Sequence, residues 1–583
     1  MKSPRFANAA RFAKLPPLTA AILWSAAMLC SALPPWSVAA PPDADSGSEA
    51  SFAWISYAGH DAVEDAFPAT SAQYRNPVVP GFAPDPSIVR VHDDYYLINS
   101  SFAFYPGIPI FHSRDLVNWE QIGNAIGRPG QFDFSGLGIA RAIFAPTLRW
   151  RGGSFYIIGT CVECGFNFLM SARNPAGPWS NPTWLPSVDG VDPDLFVDDD
   201  GRGWVANNGP PQGPPAYPGH RAIWLQEIDL KAAKMRGPRT ILVNGGVDFA
   251  QHPIWIEGPH LIKKDHWYYL IAAEGGTAGG HSEVVFRSRR VTGPYVPGPD
   301  NPILTQRDLD PARPFPVAAA GHADFVETSD GQWWSVFLAT RPYQANLSNL
   351  GRETFLLPVT WREGWPRILP AGTPVPQIHP RPPLPAGPLV DRSRRRDAFD
   401  ARPLSPDWEM IRTPAETWYR LDSPSGLAIQ ARAVSISGSG NPSFLGLRQR
   451  HAAAVVETQL RYTPARNGDR AGLVAFADER HHYFLGLCRT ADGVKLVVAV
   501  RDGTADPEEG RIVAAVPYSS APGQPVRLRI NARGAAYDFS YAIADEDWRV
   551  LLADADGRLL ASEPTNQFTG ALIGVYAARA ASP

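Results

Sequence analysis

One segment pattern occurs five times along this 583-residue chain. Each copy joins an alternating apolar run to a second run rich in aromatic residues through a polar turn, which is typical of a β-hairpin. A shorter run follows most copies and ends near an aromatic residue, as at Trp119 and Trp179, so each unit holds about four strands. The copies start at Asp85, Ala145, Asp192, Glu257 and His322.

Repeated units of this kind stack radially into a propeller. The 51 glycines and 59 prolines disfavour a helical protein. We therefore predict an all-β fold, with a five-bladed β-propeller over residues 76–370 and a β-sandwich over residues 397–583. The proline-rich residues 371–396 between them are expected to form a stiff, extended linker.

The N-terminal residues 1–39 predict an export signal. Basic residues precede an apolar run from Leu18 to Leu33, and small residues follow it at the cleavage positions. The run is shorter than the roughly 20 residues that span a bilayer, so we expect a periplasmic or secreted protein without a membrane anchor. Residues 40–75 carry neither a repeat nor a motif, and their role is left open.

The net charge and the cysteine pattern argue against nucleic-acid binding and against a structural zinc site. A net charge of -3 supplies no basic field for nucleic acid. Cys161 and Cys164 form a single CxxC, which lacks the second pair that a structural zinc site needs, and an exported protein favours a local disulfide there. Cys488 is expected to be a core thiol.

The register of the repeats brings acidic residues together. In a propeller the first strand of each blade lines the central channel, so equivalent positions converge on the axis. Three carboxylates and a histidine should therefore face one pocket. Hydrolysis of a glycosidic bond with inversion needs one carboxylate to deprotonate water and one carboxylic acid to protonate the leaving oxygen. Alignment of the first strands makes Asp85, Ala145, Asp192, Gly258 and His322 equivalent, with Glu257 one residue away.

Five sequence motifs stand out: NPVVPGFAPDPSIVRVHDDYYLINSSF from Asn76, GVDPDLFVDD from Gly190, IEGPHL from Ile256, AGHADFV from Ala320 and LGRETF from Leu350. Together they resemble the motifs of glycoside hydrolase family 43, the five-bladed β-xylosidases and α-L-arabinofuranosidases. The C-terminal segments NPSFLGLRQR, AGLVAFADERHHYFLGL and FTGALIGVY resemble the concanavalin-like β-sandwich that follows the propeller in the xylosidase branch. In that branch the sandwich packs on the propeller and closes the pocket.

The resemblance assigns catalytic roles. It implies that Asp85 is the general base, Asp192 the residue that raises the pKa of the acid, and Glu257 the general acid. Asp194 stays an alternative to Asp192, because strand alternation puts both on one face. Asp192 is favoured since it is in register with Asp85.

The same resemblance predicts the sugar-binding groups. Phe102 and Phe144 resemble walls of the terminal-sugar pocket, although related enzymes often carry Trp at the second position. His322 and Arg352 resemble groups that bind sugar hydroxyls. A core role is the alternative for the two phenylalanines and for His322. No cofactor is expected, but some related enzymes hold a divalent cation at the corresponding histidine, so calcium near His322 is kept as a less favoured alternative.

The leading hypothesis is an exported, exo-acting glycosidase of xylan degradation. It would remove terminal β-D-xylose, and also α-L-arabinofuranose, from hemicellulose oligosaccharides. The alternatives are a dedicated α-L-arabinofuranosidase and a non-catalytic sugar-binding propeller, which the presence of all three acids argues against. A further alternative makes the C-terminal sandwich a carbohydrate-binding module through His481, His482 and Tyr483, which the sequence suggests are exposed. Nothing in the sequence indicates an oligomeric state.

Overall fold

The computed structural model describes residues 49–422, 426–519, 524–561 and 568–580. The predicted export signal, residues 1–39, lies outside these ranges. Regular structure in them is nearly all β, apart from the α-helix Ala62–Ala66 and the 3₁₀ turns Phe249–Gln251 and Gly557–Leu560. Within the same ranges, no helix combines the length and apolar character needed to cross a membrane.

Residues 87–367, all of them described, form five successive antiparallel sheets, here called sheets I to V. In each sheet the strands are hydrogen-bonded in chain order, except that Leu304–Thr305 of sheet IV pairs with Ser282–Ser288. The first strand of each sheet packs against the first strands of its two neighbours, and sheet V returns to sheet I. This ring of first strands is the arrangement of a β-propeller.

The strand bounds follow the predicted repeats. Sheet I contains Ser87–Val91, Asp94–Ile98, Gly107–Ser113 and Glu120–Ile126. Sheet II contains Ala142–Arg151, Ser154–Val162, Phe166–Ala172 and Thr183–Trp184. Sheet III contains Val191–Val197, Gly203–Gly209, Ala222–Asp229 and Lys234–Asn244. Sheet IV contains Glu257–Lys264, Trp267–Glu274, Ser282–Ser288, Val296–Pro297 and Leu304–Thr305. Sheet V contains Ala318–Glu327, Trp333–Thr340, Glu353–Arg362 and Trp365–Arg367.

The segment before sheet I is hydrogen-bonded to sheet V, so the two ends of the ring are linked. The Asn76 side chain accepts from the backbone N–H of Leu356 and donates to its carbonyl, both over 2.9 Å. Strand Gln73–Arg75 pairs with Ile378–Pro380, which lies inside the proline-rich stretch. Backbone pairing therefore holds Ile378–Pro380, within the stretch that joins the two domains, against the segment before sheet I.

The C-terminal part is a sandwich of two antiparallel sheets. As far as the described residues go, one sheet has six strands, in the order Phe444–Arg448, Leu572–Ala578, Arg470–Asp478, His481–Thr490, Gly493–Asp502 and Arg511–Pro517. The other has eight, with Tyr419–Asp422, Gly426–Gln430, Glu49–His60, Ala453–Arg461, Val526–Arg533, Ala536–Ile543 and Arg549–Asp556 in spatial order and Arg394–Asp397 paired to Glu49–His60. Two short strands, Phe104–Tyr105 and Met410–Ile411, pair across the propeller and the sandwich.

The N-terminal strand Glu49–His60 gives part of residues 40–75 a structural role, which the sequence had left open. It lies inside the eight-stranded sheet, between Gly426–Gln430 and Ala453–Arg461, and buries Phe52 and Ile55 in the sandwich core. Part of residues 40–75 therefore belongs to the C-terminal sandwich, although the whole propeller separates the two in sequence.

The cysteines lie where the sequence predicted. Cys161 and Cys164 form a disulfide at the turn between the second and third strands of sheet II. Cys488 is a buried free thiol. The suggestion that His482 and Tyr483 are exposed is wrong, since both are buried in the six-stranded sheet because their strand is covered on both faces.

Candidate active site

The first strands share one backbone irregularity at the predicted register. Each sheet has a residue in the left-handed region there, which non-glycine residues adopt rarely. In sheets II to V the pairing of the first and second strands also shifts at this point, as a β-bulge does. The repeated bulge turns these residues towards the channel mouth. The φ angles are 50° at Asp85, 32° at Ala145, 55° at Asp192, 55° at Gly258 and 52° at His322.

A cavity of about 480 Å³ opens at this mouth. It brings together every site residue that the sequence predicted, from sheets II to V and from the segments before and within sheet I. The predicted residues that line it are Asp85, Phe102, Phe144, Asp192, Glu257, His322 and Arg352.

Asp85 is held as a carboxylate. Its Oδ1 lies 3.0 Å from Nη1 of Arg352 and 3.7 Å from Nδ1 of His322, and its Oδ2 accepts from the Ser100 hydroxyl over 2.6 Å. Burial opposes ionisation, but the Arg352 guanidinium, His322 and the Ser100 hydrogen bond outweigh it, so the pKa of Asp85 is lowered. This group can accept a proton.

Glu257, in contrast to Asp85, favours its protonated form. Burial raises its pKa well above the usual range, and the negative charges of Asp192 and Asp85 raise it further against a smaller opposing effect of Arg352 and Arg221. The pKa of Asp192 is also raised, by burial and by Asp85. The Oδ2 of Asp192 accepts from the backbone N–H of Gly258 over 3.3 Å. The pocket therefore holds one carboxylate, Asp85, and a pair of acids that retains a proton.

His322 packs against the backbone beside Glu257. A Cβ placed on Gly258 would lie 2.8 Å from the His322 ring, so position 258 has neither the space nor the φ angle for another residue. Burial lowers the pKa of His322 to about 4, which keeps the ring neutral at ordinary pH. The neutral ring carries one hydrogen-bond donor and one acceptor.

The donors near His322 do not suit calcium. Among the described residues, no group of three or more His, Cys, Asp or Glu side chains is placed to hold a metal ion. The charged groups beside His322 are one carboxylate, Asp85, and the guanidinium of Arg352, whereas calcium takes roughly six to eight oxygen ligands.

Aromatic rings form the wall of the cavity. Phe102 and Phe144 lie with ring centroids 4.9 Å apart. Phe568, from the C-terminal sandwich, stacks on Phe102 at 6.1 Å and also lines the cavity. The Arg352 guanidinium lies 5.5 Å from the Phe568 ring. The sandwich thus completes a pocket that the propeller begins.

Asp194 lies outside the cavity. It is fully buried below the pocket, where its Oδ1 accepts from Nη2 of Arg149 over 2.6 Å and its Oδ2 accepts from the N–H of Leu261 over 2.8 Å. The bulge at Asp192 breaks the simple alternation that had put both acids on one face. Asp194 therefore links its own sheet III to sheets II and IV. Of the two aspartates, Asp192 is the one that lines the pocket.

Sequence reasoning missed three residues around the pocket. Phe568 and Trp255 line it, and Arg221 stacks on Trp255 at 4.8 Å. Trp255 stands two residues before Glu257, and this spacing could have identified it. Phe568 lies more than 200 residues from the propeller motifs, and no local pattern marks it.

The pocket combines a carboxyl group of lowered pKa with one of raised pKa, and glycoside hydrolysis uses such a pair. Comparisons with known proteins agree. The model of glycosyl hydrolases family 43 matches residues 74–366. The model of the β-xylosidase C-terminal concanavalin A-like domain matches residues 396–583. The chain belongs to glycosyl hydrolases family 43 and is an exo-acting glycosidase.

Individual relatives cover most of the chain. A xylosidase/arabinosidase of Butyrivibrio fibrisolvens is 37% identical, over 86% of this chain and 95% of the relative. A non-reducing end α-L-arabinofuranosidase of Bacteroides ovatus is 35% identical, over 86% and 91%. Among solved structures, a family 43, subfamily 12 protein from a capybara gut metagenome is 34% identical, with a TM-score of 0.84 over 91% of this chain and all of that one. Xylan β-1,4-xylosidase of Bacillus halodurans is 33% identical, with a TM-score of 0.79 over 87% and 96%.

Proposed function

We propose that this glycosidase removes terminal β-D-xylose, and also α-L-arabinofuranose, from hemicellulose oligosaccharides with inversion of the anomeric carbon. The observation that carries the proposal is the opposite protonation preference of Asp85 and Glu257, which come from sheets I and IV and line one cavity. An inverting enzyme needs such a base and acid on opposite sides of the sugar.

Asp85 acts as the general base. Its carboxylate takes a proton from a water molecule, whose oxygen then attacks the anomeric carbon. Arg352 and Ser100 fix the orientation of both carboxylate oxygens. Arg352 and His322, on the same side of the pocket, are placed to bind hydroxyls of the terminal sugar.

Glu257 acts as the general acid and protonates the leaving oxygen as the glycosidic bond breaks. Burial, together with the charge of Asp192, raises the pKa of Glu257 and keeps it protonated near neutral pH until that step. The N–H of Gly258 holds Asp192 in place. Asp192 therefore acts through Glu257 and needs no contact with the reacting atoms.

The aromatic wall of the pocket supports exo action. Phe568, from the sandwich, lines one side, and the rings of Phe102 and Phe144 offer apolar surface to the C–H groups of a terminal sugar. A chain end can enter such a pocket, whereas an internal sugar has two linkages to accommodate.

A dedicated α-L-arabinofuranosidase is the second candidate. The Bacteroides ovatus relative carries that name, while the Butyrivibrio fibrisolvens relative is named for both activities. Parallel hydrolysis of aryl β-D-xyloside and aryl α-L-arabinofuranoside by the purified protein tests the proposal. Turnover of the arabinofuranoside alone would favour the second candidate, and turnover of neither would refute both.

We also propose that the protein is exported. The support is the basic and apolar pattern of residues 1–39 and the Cys161–Cys164 disulfide, which persists in oxidising compartments. N-terminal sequencing of the mature protein after cell fractionation should find the processed chain outside the cytoplasm. An unprocessed chain in the cytoplasm would contradict this.

A further inference from the structure

An apolar surface continues outward from the catalytic pocket. Trp255 lines the pocket and exposes 39% of its surface, while the neighbouring Ile254 and the nearby Phe249 expose 50% and 43%. We call these three residues the apolar platform. Exposed large apolar side chains grouped beside a pocket are typical of a binding surface.

The Trp255 ring is fixed before any ligand binds. The Arg221 guanidinium covers the ring at 4.8 Å and is itself anchored, since Nε and Nη2 donate to Oδ1 of Asn208 over 2.9 and 2.7 Å. The backbone N–H of Trp255 donates to the carbonyl of Gly219 over 3.0 Å, which holds the main chain that carries the ring. A Cβ on Gly219 would lie 3.0 Å from Ile254, so this close packing requires glycine.

An aromatic stack holds the outer part of the platform. Tyr217 lies between the rings of His220 and His252, at 4.8 and 4.7 Å and nearly parallel to both. Phe249 packs edge-on against Tyr217 at 5.7 Å. The Tyr217 hydroxyl donates to the carbonyl of Pro253 over 2.9 Å. A rigid surface loses little conformational entropy when it binds a ligand.

The position of Trp255 along the chain links the platform to the reaction. Trp255 and Glu257 are separated by the buried Ile256, whose carbonyl accepts from Nδ2 of Asn208 over 2.6 Å. Both Trp255 and Glu257 line the pocket. The sugar attached to the oxygen that Glu257 protonates must therefore lie close to the Trp255 ring.

We propose that Trp255 stacks on the first sugar of the leaving group and that Ile254 and Phe249 contact the next one. The platform makes the enzyme selective for oligosaccharides over glycosides with a small leaving group. Aromatic rings bind the apolar C–H faces of sugars. This inference rests on the proposed function, because it assumes that Glu257 protonates the leaving oxygen.

The test measures kcat/KM of the full-length protein on methyl β-D-xyloside, xylobiose and xylotriose, or on the matching arabinofuranosyl series if only arabinose is released. Trp255→Ala should lower kcat/KM for the disaccharide about tenfold or more, and for the methyl glycoside less than about twofold. Trp255→Phe should recover most of the loss. Phe249→Ala should affect the trisaccharide and spare the disaccharide.

Phe315→Ala is the matched control, because Phe315 is 38% exposed and lies outside the catalytic pocket. It should change none of these values. An equal loss on methyl glycoside and disaccharide in Trp255→Ala would mean that Trp255 only supports Glu257, and no loss at all would equally overturn the proposal. If the wild-type protein cleaves none of the substrates, the proposed function itself fails.

Discussion

The Nη2 atom of Arg149 lies 2.6 Å from Oδ1 of Asp194, outside the catalytic pocket. The Nη1 atom of the same guanidinium lies 2.8 Å from Asp324, which also accepts from the N–H of Ile88. One arginine thus connects carboxylates of sheets III and V, and those carboxylates bind the backbone of sheets IV and I. This buried network supports the ring that carries the catalytic residues.

We expect Asp194 and Asp192 to differ in what their substitution changes. Asp194→Asn breaks a buried ion pair and should lower the free energy of unfolding by about 3 kcal/mol. Asp192→Asn removes a charge that raises the pKa of Glu257, so the acid should lose its proton at lower pH. The alkaline limb of the kcat/KM profile should then move down by about one pH unit. Thermal unfolding and pH profiles of both variants check this, and an alkaline limb that moves only in Asp194→Asn would reverse the assignment.

Arg352→Gln should move both limbs of the pH profile upward. The guanidinium lowers the pKa of Asp85 and also offsets the raised pKa of Glu257. Without the guanidinium, Asp85 ionises at higher pH, so the acid limb moves to higher pH. Glu257 also keeps its proton to higher pH, so the alkaline limb moves to higher pH as well. An unchanged acid limb of kcat/KM would show that Arg352 does not act on the base.

Glu257→Ala should distinguish substrates by their leaving groups. A xyloside with an activated aryl leaving group needs little protonation, so its kcat should fall modestly. Xylobiose, with a poor leaving group, should lose about 10²-fold or more. Steady-state kinetics on the two substrates measure the ratio, and equal losses would argue against the acid role.

Asp85→Asn should lose at least about 10²-fold in kcat even on activated substrates, because the amide cannot deprotonate water. With the wild-type protein, a β-xyloside should release α-xylose first. Proton NMR of the earliest product identifies the anomer. Initial release of β-xylose would indicate retention through a covalent intermediate and would refute Asp85 as a general base.

Phe568→Ala should show that the sandwich contributes to substrate binding. Loss of the ring removes one wall of the pocket and a contact of Arg352. We expect kcat/KM to fall about tenfold while the unfolding temperature stays nearly unchanged. Phe166→Ala is the control, since Phe166 is an exposed phenylalanine outside the pocket. Similar losses in both variants would contradict a specific role of Phe568.

The sequence determined the repeat and its register. Hairpins with period-2 alternation are local features, so equivalent positions in the five copies could be aligned without a structure. Asp85, Asp192 and His322 came from that alignment, and the structure places them at the same left-handed position of three first strands. Glu257 was found one residue away, where the bulge turns it into the same pocket.

Tertiary structure alone decided the rest. The strand Glu49–His60 has the alternation of any half-buried strand, and nothing local says that its partners lie some 400 residues away in the sandwich. Phe568 reaches the pocket only because the two domains pack together. Asp194 lies outside the pocket because a bulge shifts the pairing of its strand. Strand pairing and domain contact depend on burial and hydrogen bonding between residues far apart in the chain. Local sequence patterns do not identify these partners.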